Sequence, residues 1–266
     1  MGGAFAQLFD LLLAPMVALG LATARLFAVF AVNPLFTRFG LTGLLRGGIA
    51  FALAMPLVPG LAPQVAAAGT GGYILLALLV KEAVIGIVLG LVTGVPFWAA
   101  EAAGEFIDQQ RGSEAATIPD PSQANEAGIT GTLLGLTLIA IFFLSGGMSL
   151  LAGAIYQSYA IWPPLEAVPR FSAEAGLRTL VLLDNLVRSG LVLAAPILIA
   201  LLLTELALAL VGRFAPALNV FDLAMAVKGI VFVVSLPLYA IFLPHYLRDL
   251  LLPLAGAGEL LRGFAP

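Results

Sequence analysis

The residues best placed to do chemistry in this chain are carboxylates. Glu101, Glu105 and Asp108 stand at i, i+4 and i+7, so on a helix they share one face. Three like charges in a stripe repel one another, which costs stability unless the face is solvated or paired. The spacing predicts a water-facing surface or, inside a membrane, an ion path. Lys81, Glu82, Glu205 and Asp222 are further ionisable groups set among apolar neighbours. Nucleophilic chemistry has little material. Ser145 lies outside a Gly-x-Ser-x-Gly turn, and the single histidine, His245, follows Pro244 at the end of an apolar run. With no cysteine and one histidine, disulfides, thiol catalysis and a His-rich metal site are excluded. No catalytic residue, metal ligand or cofactor is expected, and the chain reads as a non-enzyme.

The elements that must position these residues are unusually apolar. Hydrophobic residues make up 61% of the 266 and charged residues 10%, against roughly 25% in ordinary globular chains. The mean hydropathy is +1.09. So little polar surface cannot coat a soluble core, which predicts a polytopic, all-α integral membrane protein. The net charge of −3 offers no basic field for nucleic acid. Met1–Leu13 lacks a basic n-region, so export without a cleaved signal peptide is expected.

Spanning about 30 Å of hydrocarbon takes about 20 helical residues. About six hydrophobic helices are predicted, with kinks and re-entrant or irregular segments, in one domain over 1–266. The first runs from about Ala4 to Phe30 and stops at Asn33-Pro34. A second ends near Leu57. There Pro56, Pro59, Pro63 and the Gly69–Gly72 cluster predict a non-helical loop before a helix from Tyr73. Ala83–Ala100 continues that helix, and Ala127–Leu165 is interrupted at Ser145-Gly146-Gly147 and Trp162-Pro163-Pro164. Ser189–Leu203 and Gly229–Pro244 supply further spans, with Pro237 as a kink. Glu101–Glu126 and the amphipathic connector Glu166–Arg188 are more polar. Gly86, Gly90 and Gly94 form a small-residue ridge suited to close helix packing, as do Gly131 with Gly135 and Gly43 with Gly47. Tyr156, Tyr159 and Trp162 read as interfacial aromatics, and Asn219 as a helix N-cap.

The stripe is followed by Gln109-Gln110-Arg111-Gly112-Ser113-Glu114, then Ala115, Ala116, Ile118, Pro119 and Asp120. Asp120 between two prolines cannot be helix interior, so the chain makes an excursion between spans. Polar, Gly- and Pro-punctuated backbone between two spans is either an aqueous loop or irregular backbone lining a protein cavity. Small apolar Ala115, Ala116 and Ile118 would help such a segment exclude water and ions. Glu126 suits the N-terminus of the next helix.

Glu101-Ala-Ala-Gly-Glu105-Phe-Ile-Asp108-Gln-Gln-Arg111-Gly112, followed by Asp120-Pro121, resembles the central signature of the SctT/FliR family. These are export-apparatus proteins of type III secretion systems and flagella. Tyr156-Gln157-Ser158-Tyr159, Pro163-Pro164, Thr204-Glu205-Leu206-Ala207-Leu208 and Arg213–Phe221 continue the resemblance in order over nearly the whole chain. The form Asp108-Gln-Gln-Arg111-Gly112 resembles the secretion-system (SctT/YscT/HrcT-like) branch more than the flagellar one. The resemblance implies a structural and gating subunit of the export gate, multi-pass in the bacterial inner membrane within the secretion-system base. It implies SctR- and SctS-like partners forming a closed cone, SctU attached, and secreted proteins in transit. It also makes Gln109–Asp120 part of the pore plug.

The rival from another class is a proton- or ion-coupled secondary transporter using the acidic stripe or Glu82, Glu205 and Asp222, although no repeat is visible. Arg38 and Arg46 predict a cytoplasmic first loop, and the uncharged Pro59–Gly72 stretch an outer one.

Overall fold

The computed structural model describes residues 2–38, 43–68, 71–112, 128–166, 172–173, 175–215, 219–255 and 262. Among these there is helix and no strand. The order is α1 (Gly2–Val32), α2 (Pro34–Thr37), α3 (Gly43–Ala54), a 3₁₀ turn (Met55–Leu57) and α4 (Val58–Ala68). It continues with α5 (Gly72–Arg111), α6 (Ile129–Leu144), α7 (Gly147–Ile161), α8 (Ala175–Phe214) and α9 (Val220–Ala255).

Five stretches are long and apolar enough to cross a membrane: Leu12–Val32, Gly43–Ala68, Gly72–Arg111, Gly176–Phe214 and Leu223–Leu252. The α6–α7 pair, bent by 80° at Ser145-Gly146, is a broken span or a re-entrant pair, and the chain is a polytopic helical membrane protein with five or six spans. Gly146 has φ +75°, a left-handed conformation that glycine adopts without penalty, and this ends α6. Helices α5 and α8 have 40 residues each. At 1.5 Å per residue that is about 60 Å, twice the hydrocarbon thickness, so part of each lies outside lipid or within protein.

Two connections differ from the sequence expectation. The proline-rich stretch after Leu57 is helical rather than a loop. Pro56 and Pro59 fall in first turns, where a missing N–H costs nothing. Pro63 sits inside α4, and beside it the Gln64 side-chain amide donates to the Gly60 carbonyl at 2.9 Å. The connector expected over Glu166–Arg188 is helical from Ala175, so α8 absorbs its second half together with Ser189–Leu203.

The chain forms two compact units. The first comprises 1–94, 148–179 and 254–266, and the second 95–147 and 180–253. In the first, Ala18, Leu21, Ala22, Leu26 and Val29 make the buried stripe of α1, at the three- and four-residue spacing of one helix face. Asn33 caps the start of α2 by accepting from the Leu35 N–H (3.0 Å), and its side-chain amide donates to Thr93 Oγ1 (2.9 Å). In the second, Phe97, Ala100, Ala103 and Ile107 of α5 are buried, as are Leu134, Leu138 and Phe142 of α6. Phe97 and Phe142 meet edge to face at 5.4 Å.

Candidate functional site at the end of α5

The acidic stripe is half-buried at Glu101 and Glu105 and fully buried at Asp108. Asp108 is 1% exposed, and its carboxylate works on the start of α6. One oxygen accepts from the Thr130 N–H at 2.8 Å; the other accepts from the Thr130 hydroxyl at 2.6 Å and from Arg111 Nη2 at 2.9 Å. Glu105 Oε1 accepts from the Gly128 N–H at 2.6 Å. The N-cap of α6 is Gly128, which has no side chain to satisfy the unpaired amides of the first turn. Carboxylates from α5 take that role across the helix pair, where the positive end of the α6 dipole favours them.

The glycines explain how two helices approach closely enough for this. A Cβ on Gly104 would fall onto the backbone of Gly131, and one on Gly131 would sit 2.8 Å from Glu105 Oε1. The stem of Glu101 lies over Gly135, 3.0 Å from where a Cβ would stand.

The last turn of α5 is held from other sides as well. Gly112 adopts φ +80°, and its N–H donates to the Asp108 and Gln109 carbonyls at 3.1 Å each. Lys228 of α9 donates to the Gln110 carbonyl (3.2 Å) and to Glu205 of α8 (3.1 Å), and Gln110 Nε2 donates to Glu205 at 2.9 Å. The Arg111 guanidinium stacks 4.6 Å above the Phe232 ring.

The other charged cluster lies inside the first unit. Arg25, at 0% exposure, donates from Nε and Nη2 to the Glu82 carboxylate at 2.6 and 3.0 Å. It also reaches Ser158 Oγ (2.9 Å) and the Trp162 carbonyl (2.8 Å), with the Tyr159 ring 4.0 Å away. Lys81 contacts Glu82 at 2.8 Å and donates to the Pro163 and Pro164 carbonyls at 2.9 and 2.8 Å. Two cations thus embrace one carboxylate and the carbonyls that leave the end of α7.

Residues 16–253 match the model of the family described as bacterial export proteins, family 1. The chain belongs to that family. It is 36% identical over 245 residues to the Yop proteins translocation protein T of Yersinia pestis, covering 91% of this chain and 94% of that protein. It is 32% identical over 242 residues to the secretion system apparatus protein SsaT of Salmonella typhimurium (88% and 91%). It is 31% identical over 206 residues to the flagellar biosynthetic protein FliR of Bacillus subtilis (77% and 78%). The SctT/FliR resemblance and the type III export role therefore hold.

Within this export protein, the signature residues Glu105 and Asp108 converge with Gln109–Gly112 on one helix end, and Glu101 lies against Gly135 further along α6. Ser113–Asp120 of the expected plug segment, and Glu126, lie outside the described residues. Gly86 and Gly90 oppose α1: a Cβ on Gly86 would overlap the Arg25 carbonyl, and one on Gly90 would stand 3.0 Å from the Val29 carbonyl. Gly94 is buried. Gly43 and Gly47 face open space, with nothing within 4 Å.

Lys81, Glu82 and Glu205, set among apolar neighbours in the sequence, meet their counter-charges within the chain. One expectation changes. Tyr159 and Trp162 are buried, and the Tyr159 hydroxyl donates to the Ala22 carbonyl at 2.8 Å, so neither is an interfacial aromatic. Arg25 went unremarked in the sequence, although it is the lone charge of Leu12–Val32 and an isolated intramembrane arginine needs a partner. Lys228 and Gly104 were likewise missed.

Proposed function

We propose that the chain is a structural and gating subunit of a type III secretion export gate in the bacterial inner membrane. In this reading it forms part of the protein-conducting pore with SctR- and SctS-like subunits, with an SctU-like subunit attached. The segment Gln109–Asp120 then acts as a seal. The observation that carries the reading is the fixed base of that segment. Its entry at Asp108–Gly112 and the helix that follows it at Gly128–Thr130 are tied by the same two carboxylates. A sealing loop needs such a base, because its fit depends on where its ends are held. The large apolar side chains left exposed, such as Leu203 and Leu206 on α8 and Val233, Val234 and Ile241 on α9, must be covered by lipid or by partner subunits.

Ion coupling at the stripe is disfavoured. Asp108 and Glu105 are already engaged in capping α6. Deleting Ser113–Ile118 in cells that also make SctR- and SctS-like subunits decides between the readings. Assembly should persist while the membrane becomes permeable to small ions. A tight membrane after the deletion, together with loss of proton-dependent export in Glu101→Gln, would favour the coupled transporter instead.

A further inference from the structure

The end of α5 carries a feature that capping of α6 does not explain. Gly112 turns back onto the Asp108 and Gln109 carbonyls, which closes two of the four carbonyls that a helix leaves unbonded at its C-terminus. The next carbonyl, that of Gln110, is taken by the Lys228 ammonium of α9 at 3.2 Å. A cation at this position also meets the negative end of the α5 dipole. Lys228 is held in place by Glu205 of α8, which in turn accepts from the Gln110 side chain. Three helices thus contribute one residue each to a closed ring of polar contacts.

The setting makes the ring costly unless it serves something. The Glu205 side chain is 55% exposed and stands among exposed Leu202, Leu203 and Leu206. An exposed carboxylate on an otherwise apolar helix face is expensive against lipid. Packing alone would be served by leucine at both 205 and 228.

We propose that Lys228 is a positioning residue: with Glu205 it fixes the last turn of α5, and so ties the placement of that turn to the α8–α9 pair. This rests on the sealing role for the segment after Arg111, because a seal is only as well placed as the turn it leaves from. A shift of α8 and α9 would pull on that turn directly, through Lys228 and Gln110.

The chain has no cysteine, so two introduced cysteines report without background. Spin labels at Gln109→Cys and Ala226→Cys, both exposed positions, are placed in the assembled complex, and their distance distribution is measured. It should be narrow with Lys228 present and at least twice as broad with Lys228→Met. Lys228→Arg, which can still donate to both acceptors, should restore it. The swap Glu205→Lys with Lys228→Glu should not, because the Gln110 carbonyl then has no donor from position 228. If Lys228→Met does not assemble, Glu205→Gln serves, with an intermediate broadening expected. An unchanged distribution in Lys228→Met, or in Glu205→Gln where that stands in, overturns the proposal. So does a swap that restores the narrow distribution. Ion permeability, normalised to assembled complex, is recorded alongside. Broadening without leakage leaves Lys228 as a positioning residue and counts against the sealing role alone.

Discussion

Asp108 and Thr130 form a two-point contact, the carboxylate of α5 accepting from both the backbone amide and the hydroxyl of a residue in the first turn of α6. Because Gly128 has no side chain with which to cap α6, this contact is the helix's own N-cap supplied from elsewhere. Asp108→Ala removes the cap and also the Arg111 partner, and should destabilise the protein by about 1–3 kcal/mol. Thr130→Val keeps the backbone bond and should cost about 1 kcal/mol. Denaturant unfolding in micelles checks the order, and equal losses would count against the cap as the larger contribution.

The cluster around Glu82 makes a sharper prediction. Removing a lone partner from a buried ion pair leaves an uncompensated charge and costs about 3–5 kcal/mol. Glu82→Gln leaves two buried cations, Arg25 and Lys81, without the carboxylate that both contact. Lys81→Met leaves Glu82 still bridged by Arg25. Glu82→Gln should therefore lower the yield of folded protein far more than Lys81→Met. In a double-mutant cycle, Arg25→Met with Glu82→Met should cost less than the sum of the two single changes, with a coupling of about 0.5–3 kcal/mol.

The number and type of the long helices were legible in the sequence, because an apolar run of about 20 residues with few charges has little alternative to a span. The break at Ser145-Gly146 was legible for the same kind of local reason. What misled was any feature whose meaning depends on a distant partner. Glu105 and Asp108 look like part of a solvated stripe until Gly128 and Thr130 are brought against them, more than twenty residues on. Arg25 looks like an oddity until Glu82 and Ser158 arrive from α5 and α7. The prolines at 56, 59 and 63 suggested a loop because proline reads as a breaker, whereas two of them stand where a helix has no need of their N–H.

Tyr159 separates hydrogen bonding from ring packing. Its hydroxyl donates to the Ala22 carbonyl, and its ring lies under the Arg25 guanidinium. Tyr159→Phe keeps the ring and should cost about 1 kcal/mol. Tyr159→Leu also gives up the cation–π contact and part of the packing, and should cost about 2–4 kcal/mol. Equal losses in unfolding experiments would show that the hydroxyl carries nearly all of the residue's contribution.

The glycines give a prediction with opposite signs at residues of one type. Helix α5 approaches α1 at Gly86 and Gly90, where the nearest atoms to an added Cβ are the Arg25 and Val29 carbonyls. Backbone cannot yield as the tip of a side chain can, and overpacking at a helix contact costs about 1–3 kcal/mol. Gly86→Ala should already lower the yield of folded protein, because its Cβ overlaps the Arg25 carbonyl and also stands 2.7 Å from the Ala28 methyl. Gly90→Ala has slightly more room, at 3.0 Å from the Val29 carbonyl, and should be milder, whereas Gly90→Leu should fail. The Arg25–Glu82 pair sits one turn from Gly86, so Gly86→Ala should also weaken that pair. Gly47, inside α3, has nothing within 4 Å of an added Cβ. There alanine meets no obstacle and gains up to about 1 kcal/mol in helix propensity. Folded yield and unfolding midpoint, compared across the four variants, test the ordering. A tolerated Gly90→Leu would mean that α1 and α5 do not pack as described, and a damaging Gly47→Ala would mean that a partner subunit covers the open face of α3.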